Sequence, residues 1–89
     1  MSQAPITIYT TRTCPFCHRA KGLLREKNAA FEEIDVGADP SVREKMTRRA
    51  GGRRTVPQIF IGTHHVGGCD DLFDLEQRGK LDTLLSGAS

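Results

Sequence analysis

Apolar residues in this chain fall into short runs, and the spacing within the runs changes from one segment to the next. Ile6-Thr7-Ile8-Tyr9 is a compact β-branched and aromatic run that predicts a short buried strand. Phe16, Ala20, Leu23 and Leu24 recur at helical spacing and predict a helix from Cys14 to about Lys27. Thr13 is its expected cap, and Pro15 suits its first turn, where a missing N–H is no loss. Residues 31–36 alternate and predict a second strand. Residues 40–50 predict a second helix, opened by Asp39 and closed by Gly51-Gly52. Val56 to Ile61 predicts a third strand. Gly62-Thr63 turns it into a fourth, His64-His65-Val66, which Gly67-Gly68 breaks. A last helix starts at Cys69 or Asp70, with Gly79 splitting it before Leu81, Leu84 and Leu85. The tail after Leu85 reads as frayed.

The element order is βαβ, helix, β-hairpin, helix. A βαβ unit implies parallel strands joined by a right-handed crossover, and the hairpin adds an antiparallel edge. The expected fold is a single α/β domain with a small mixed four-stranded sheet and helices on both faces. Eighty-nine residues suffice for one domain, residues 1–89, and show no internal repeat or linker.

Charge adds a little. The formal net charge is only +2, but the distribution is uneven. Between Arg43 and Arg54 six basic residues face one acid, a local +5; from Cys69 to Ser89 the balance is −3. Such a dipolar surface suits a ligand or partner bearing both signs. The basic cluster lacks interleaved aromatics, so it reads as a solvated face and not as a nucleic-acid patch. No apolar run approaches a membrane span or a signal sequence, which predicts a cytoplasmic protein with no membrane partner; a monomer is assumed.

The chemistry centres on Cys14-Pro15-Phe16-Cys17, two of only three cysteines. The pair sits at a strand-to-helix junction, where free N–H groups and the helix dipole favour a thiolate on Cys14. Arg12 and Arg19 could add positive charge nearby. Cys17 lies one turn on, placed to resolve a mixed disulfide formed at Cys14. A structural disulfide would close too small a loop to stabilise much and is rare in the cytosol. Zinc would need Cys69 with His18, His64 or His65 to complete a four-ligand set at no recognisable spacing, so no metal is expected. A CxxC beside a βαβ pattern reads as a redox pair. His18 reads as an exposed helix residue, and Cys69 as a small residue at a crowded helix start.

Four features together resemble the glutaredoxin family: "IYTTRTCPFCHRAK" (8–21), "TVPQIFI" (55–61), "HHVGGCDD" (64–71) and the order of elements between them. Thioredoxins are less similar, since they usually carry Trp-Cys-Gly-Pro-Cys and this chain has no Trp. The resemblance implies a thioredoxin fold and glutathione-dependent reduction of protein disulfides and glutathionylated proteins by the dithiol Cys14 and Cys17. Glutathione would be a co-substrate, and ribonucleotide reductase is a family-level protein partner. Glutathione offers two carboxylates and one ammonium, which call for cations or helix N–H groups and for an acid.

By resemblance, Thr55, Val56 and Pro57 form a wall with a typically cis proline, and the Val56 backbone pairs with the peptide like an added strand. Arg53 matches the position that meets the glycine carboxylate. The N–H groups near Gly68, Cys69 and Asp70 take the γ-glutamyl carboxylate, and Asp70 or Asp71 takes the ammonium. Taken alone, the acidic pair would more often cap a helix, and the two roles are compatible. Phe16 stands where Tyr is commoner. Thr11 stands where many relatives carry a cation, and Arg12 is the expected substitute. Two other readings stay open: a glutathione-ligated iron–sulfur carrier, which Pro15 and Cys17 argue against, and a thioredoxin-like donor recycled by a flavoprotein reductase.

Overall fold

A computed structural model describes residues 3–87. It contains strands β1 (Ile6–Thr10), β2 (Glu32–Asp35), β3 (Gln58–Ile61) and β4 (His64–Gly67). The helices are α1 (Pro15–Glu26), α2 (Pro40–Arg49), α3 (Cys69–Gln77) and α4 (Leu81–Leu85). The sheet order is β2-β1-β3-β4. β1 and β2 run parallel across the α1 connection, and the β1–β3 and β3–β4 pairs are antiparallel. The mixed four-stranded sheet expected from the sequence is the one observed.

The two central strands are buried on both faces, which explains their nearly continuous apolar character. Ile6, Ile8, Ile59 and Ile61 point to one side and pack with Ala20, Leu23 and Leu24 of α1, Leu72 of α3, and Leu81 and Leu85 of α4. Tyr9 and Phe60 point to the other side and pack with Met46 and Ala50 around α2. Their rings meet edge to face, with centroids 5.9 Å apart. At the β2 edge, Lys21 of α1 is buried because Glu33 receives it at 2.9 Å. The Lys21 ammonium, and then the Thr10 hydroxyl donating at 2.7 Å, hold the Glu33 carboxyl below its ordinary range.

Several boundaries differ from those expected. Thr13 does not cap α1. It is exposed, and Cys14 is the N-cap residue, its Sγ accepting the Cys17 N–H at 3.2 Å. Pro15 occupies the first helical position, so the residue immediately before it is the one that reaches the free N–H groups. β2 is shorter than 31–36, although the Val36 N–H still donates to Thr10 O at 2.9 Å. β3 begins at Gln58, because Pro57 has no N–H for a ladder. Gly67 is the last residue of β4, at φ +111°.

Asp39 does cap α2, through Oδ1 and the Ser41 N–H at 2.9 Å. Gly79, at φ +70°, separates α3 from α4. Of the tail read as frayed, Ser86 and Gly87 close the last turn on Asp82 O and Leu84 O, and the remainder lies outside the described residues. Among the described residues no helix is long and apolar enough to cross a membrane.

Leu24 is fully buried on the α1 face that covers β1 and β3. Leu24→Ala should therefore destabilise the domain by about 2–5 kcal/mol, read as a lower urea midpoint at unchanged slope.

Candidate active site

The β1–α1 junction, the segment before β3 and the start of α3 converge on one cleft of about 340 Å³. Cys14 is half-buried beside it, whereas Cys17 is completely buried beneath. The Cys14 sulfur accepts the Cys17 amide, and its thiol faces Val56 O at 3.7 Å. The atom expected to attack is thus the one that completes the first turn of α1.

Cys17 has the opposite environment. Burial, and next its interaction with the Cys14 side chain, push its thiol up from 9.0 to about 12, against smaller opposing effects of the Thr11 backbone and Lys21. At neutral pH it stays protonated. Cys69 is also buried, and burial raises its thiol against the opposing charge of Arg19. All three cysteines are free thiols.

The cleft is lined by Phe16, Arg53, Thr55, Val56, Pro57, Gly68, Cys69, Asp70 and Asp71. These are the expected glutathione-site residues with one exception. Arg12 lines a different concavity, with Thr11, Asp35 and Gly37. Arg53 is the cation among the residues that line the cleft. Phe16 is 53% exposed and offers an apolar wall beside Cys14. The Val56–Pro57 bond is cis, as the resemblance implies.

The two acids opening α3 do different things. Asp71 Oδ2 accepts the Gly68 N–H at 2.8 Å and faces Arg53 Nη1 at 3.4 Å. It is a helix cap joined to a cation, as the capping reading expected. Asp70 is exposed on the cleft and makes no side-chain hydrogen bond or ion pair among the described residues. The first N–H groups of α3, on Cys69 and Asp70, have no intrahelical acceptor and face an anion-favouring end of the helix. The cleft thus offers a cation, helix N–H groups and an acid within one small space.

Three contributors were not assigned a role from sequence. A Cβ on Gly67 would lie 2.4 Å from Asp71 Oδ2 and 2.7 Å from Arg53 Nη1, so only glycine lets these groups meet over the chain. The Gly-Gly doublet was the available signal, but it read as a strand breaker. Gln58 and His65 lie behind the wall. Gln58 is fully buried, with its Nε2 donating to Thr55 O at 3.0 Å and its Oε1 2.7 Å from His65 Nε2. Both residues lie within the quoted motifs 55–61 and 64–71, but nothing in the motifs pairs them.

The family model for glutaredoxin matches residues 6–66. Glutaredoxin 3 of Escherichia coli K12 is 54% identical over 82 residues, which cover 92% of this chain and 98% of that protein. The chain belongs to the glutaredoxin family. A glutaredoxin of Pseudomonas aeruginosa is 56% identical over 82 residues, 92% of this chain and 96% of that one. Among solved structures, the glutaredoxin of Brucella melitensis superposes with a TM-score of 0.85 at 56% identity, over 97% of this chain and 92% of its own. A buckwheat glutaredoxin solved in complex with glutathione gives a TM-score of 0.86 at 29% identity, over 94% of this chain and 78% of its own. The fold is therefore the thioredoxin fold of glutaredoxins, and membership implies thiol–disulfide oxidoreductase chemistry.

Three outcomes follow from the site geometry. Iodoacetamide at neutral pH should label Cys14 alone, with Cys17 and Cys69 unmodified until the protein is unfolded, as read by peptide mass spectrometry. The Cys17 thiol also makes stability pH-dependent. Its folded value of about 12 lies above the unfolded 9.0, so its contribution is complete below 9.0 and is lost as pH rises toward 12. Thermal scans across that window should show wild type losing more stability than Cys17→Ala. Gly67→Ala, at a positive φ and against Asp71 and Arg53, should cost about 1–3 kcal/mol in urea unfolding.

Proposed function

We propose that this glutaredoxin is a glutathione-dependent reductase of protein disulfides and protein–glutathione mixed disulfides, working as a dithiol through Cys14 and Cys17 in the cytoplasm. The observation that supports this reading most directly is the cleft beside Cys14. It gathers Arg53, the start of α3, Asp70 and Asp71 in one space that suits a ligand with two carboxylates and an ammonium. The buckwheat relative in complex with glutathione points the same way.

In the proposed reaction the Cys14 thiolate attacks the glutathione sulfur of a mixed disulfide. A Cys14–glutathione disulfide forms, and the protein thiolate leaves and takes up a proton. A second glutathione thiolate attacks the bound glutathione sulfur, giving oxidised glutathione and restoring the Cys14 thiolate. With a protein disulfide, Cys14 first forms a mixed disulfide and releases one substrate thiolate. Cys17 then loses its proton, attacks the Cys14 sulfur and expels the second substrate thiolate. Two glutathione molecules reduce the resulting Cys14–Cys17 disulfide. In this scheme Arg53 meets one carboxylate, the first N–H groups of α3 meet the other, and Asp70 takes the ammonium. Val56 pairs with the peptide backbone, while Phe16 and Pro57 flank the sulfur.

Cys14→Ser should abolish all turnover. Cys17→Ser should keep removal of glutathione from a glutathionylated protein and lose reduction of a protein disulfide. Both are measured by coupling to glutathione reductase with glutathione as the reductant. Turnover that needs a flavoprotein thioredoxin reductase instead of glutathione would refute the glutathione reading, as would normal activity in Cys14→Ser.

A further inference from the structure

We infer that Gln58 and His65 are positioning residues that hold the Thr55–Val56 wall in the geometry the glutathione moiety uses; this rests on the glutathione reading above. Thr55 and Val56 precede β3 and lie outside any strand, yet their backbone forms one side of the cleft. Something other than a ladder must therefore fix them. Gln58 does so from inside the fold. Its Nε2 donates to Thr55 O at 3.0 Å and faces Thr55 Oγ1 at 3.2 Å.

A carbonyl oxygen can only accept, so the end of the Gln58 amide facing Thr55 O is its NH₂. The other end, Oε1, then points at His65 Nε2 at 2.7 Å, and His65 must be the donor. His65 is itself held by stacking on Phe60, with centroids 4.7 Å apart and planes 18° from parallel. Phe60 is clamped from elsewhere by Arg49 at 4.1 Å and by Tyr9. The chain of contacts runs from the packed α2 face of the sheet, through His65 and Gln58, to the cleft wall. Three other contacts reach the same segment: Arg43 Nη2 donates to Arg54 O at 2.9 Å, Cys14 Sγ meets Val56 O, and Val56 packs against the cluster around Met46 and Phe60. None of them is made by Thr55.

Gln58 is fully buried, so losing His65 leaves its Oε1 without a partner and frees the amide to turn. The Thr55 carbonyl would then lose its fixed donor. The consequence falls mainly on binding of the glutathione part, because the Cys17 amide still holds the Cys14 sulfur when its contact with Val56 O shifts.

The test is steady-state turnover of one peptide carrying a single cysteine, capped by glutathione in one preparation and by cysteamine in the other. Wild type should show the lower KM for the glutathione-capped peptide. His65→Phe keeps the stacking and removes the donor. It should raise that KM about five- to tenfold, with kcat changed less than about twofold. His65→Gln, which restores an N–H at similar reach, should bring KM back to within about twofold of wild type. Gln58→Met should reproduce the KM effect and serves if His65→Phe does not fold. An unchanged KM in the variants overturns the inference, as does a fall of kcat without a rise in KM, or a failure of His65→Gln to rescue. A wild type that does not distinguish the two caps overturns the glutathione reading, and this inference with it.

Discussion

The hydrogen bond from the Cys17 amide to the Cys14 sulfur is the contact around which the rest of the site is arranged. A helix N-cap usually supplies an oxygen from Ser, Thr, Asn or Asp. Here sulfur fills that place, because Pro15 fixes the first helical position and leaves Cys14 immediately outside it. One of the N–H groups that a helix start leaves unpaired, that of Cys17, then meets the Cys14 sulfur. The core holds it there: Ala20, Leu23 and Leu24 pin α1 to Ile8 and Ile59, so the helix start cannot move without unpacking the sheet.

The cleft beside that sulfur is assembled from segments some forty and fifty residues away, and one carboxylate joins two of them. Asp71 caps α3 through the Gly68 amide and faces Arg53 across the cleft. Both groups are about half exposed, so the ion pair itself adds little stability. Its effect is geometric, setting Arg53 beside the first turn of α3. Gly67 makes this close approach possible by offering no Cβ where the two side chains meet. Asp70, one residue earlier, is left facing the cleft without an internal partner among the described residues. A capped acid and an uncapped acid side by side give the helix start both structural closure and a free negative charge.

Much of this was legible in the sequence, because the relevant signals are local. The strand runs around Ile6 and Ile59, the helical stripe of α1, the Asp39 cap and the Gly79 break all act over a few residues, and each appears where expected. What was misread or missed depends on geometry that spacing does not encode. Thr13 is the commoner cap by residue type, but register with Pro15 gave the role to Cys14. Gln58 alternates correctly for a buried strand position, and nothing nearby indicates that its polar end serves Thr55 on one side and His65 on the other. Contacts between a strand and the loop before it, closed by a residue from the next strand, leave no periodic trace.

Three chemically identical thiols sit in different environments because burial differs between them. Cys69 is buried at the edge of the cleft, and desolvation raises its thiol. Cys17 is more deeply buried and its thiol is pushed up to about 12. In the proposed reaction a free thiol of that kind does not compete with Cys14 for an incoming disulfide, so environment and not residue type would assign the first attack. Under the proposed dithiol reaction the same burial governs the second step. Once Cys14 is part of a mixed disulfide, the neighbouring negative charge that opposes ionisation of Cys17 is gone. The Lys21 charge and the Thr11 backbone, which both favour the Cys17 thiolate, then face less opposition. Desolvation, the largest opposition, persists through both steps. In that reaction the step at Cys17 comes second, with one sulfur at the helix cap and the other buried one turn inside it.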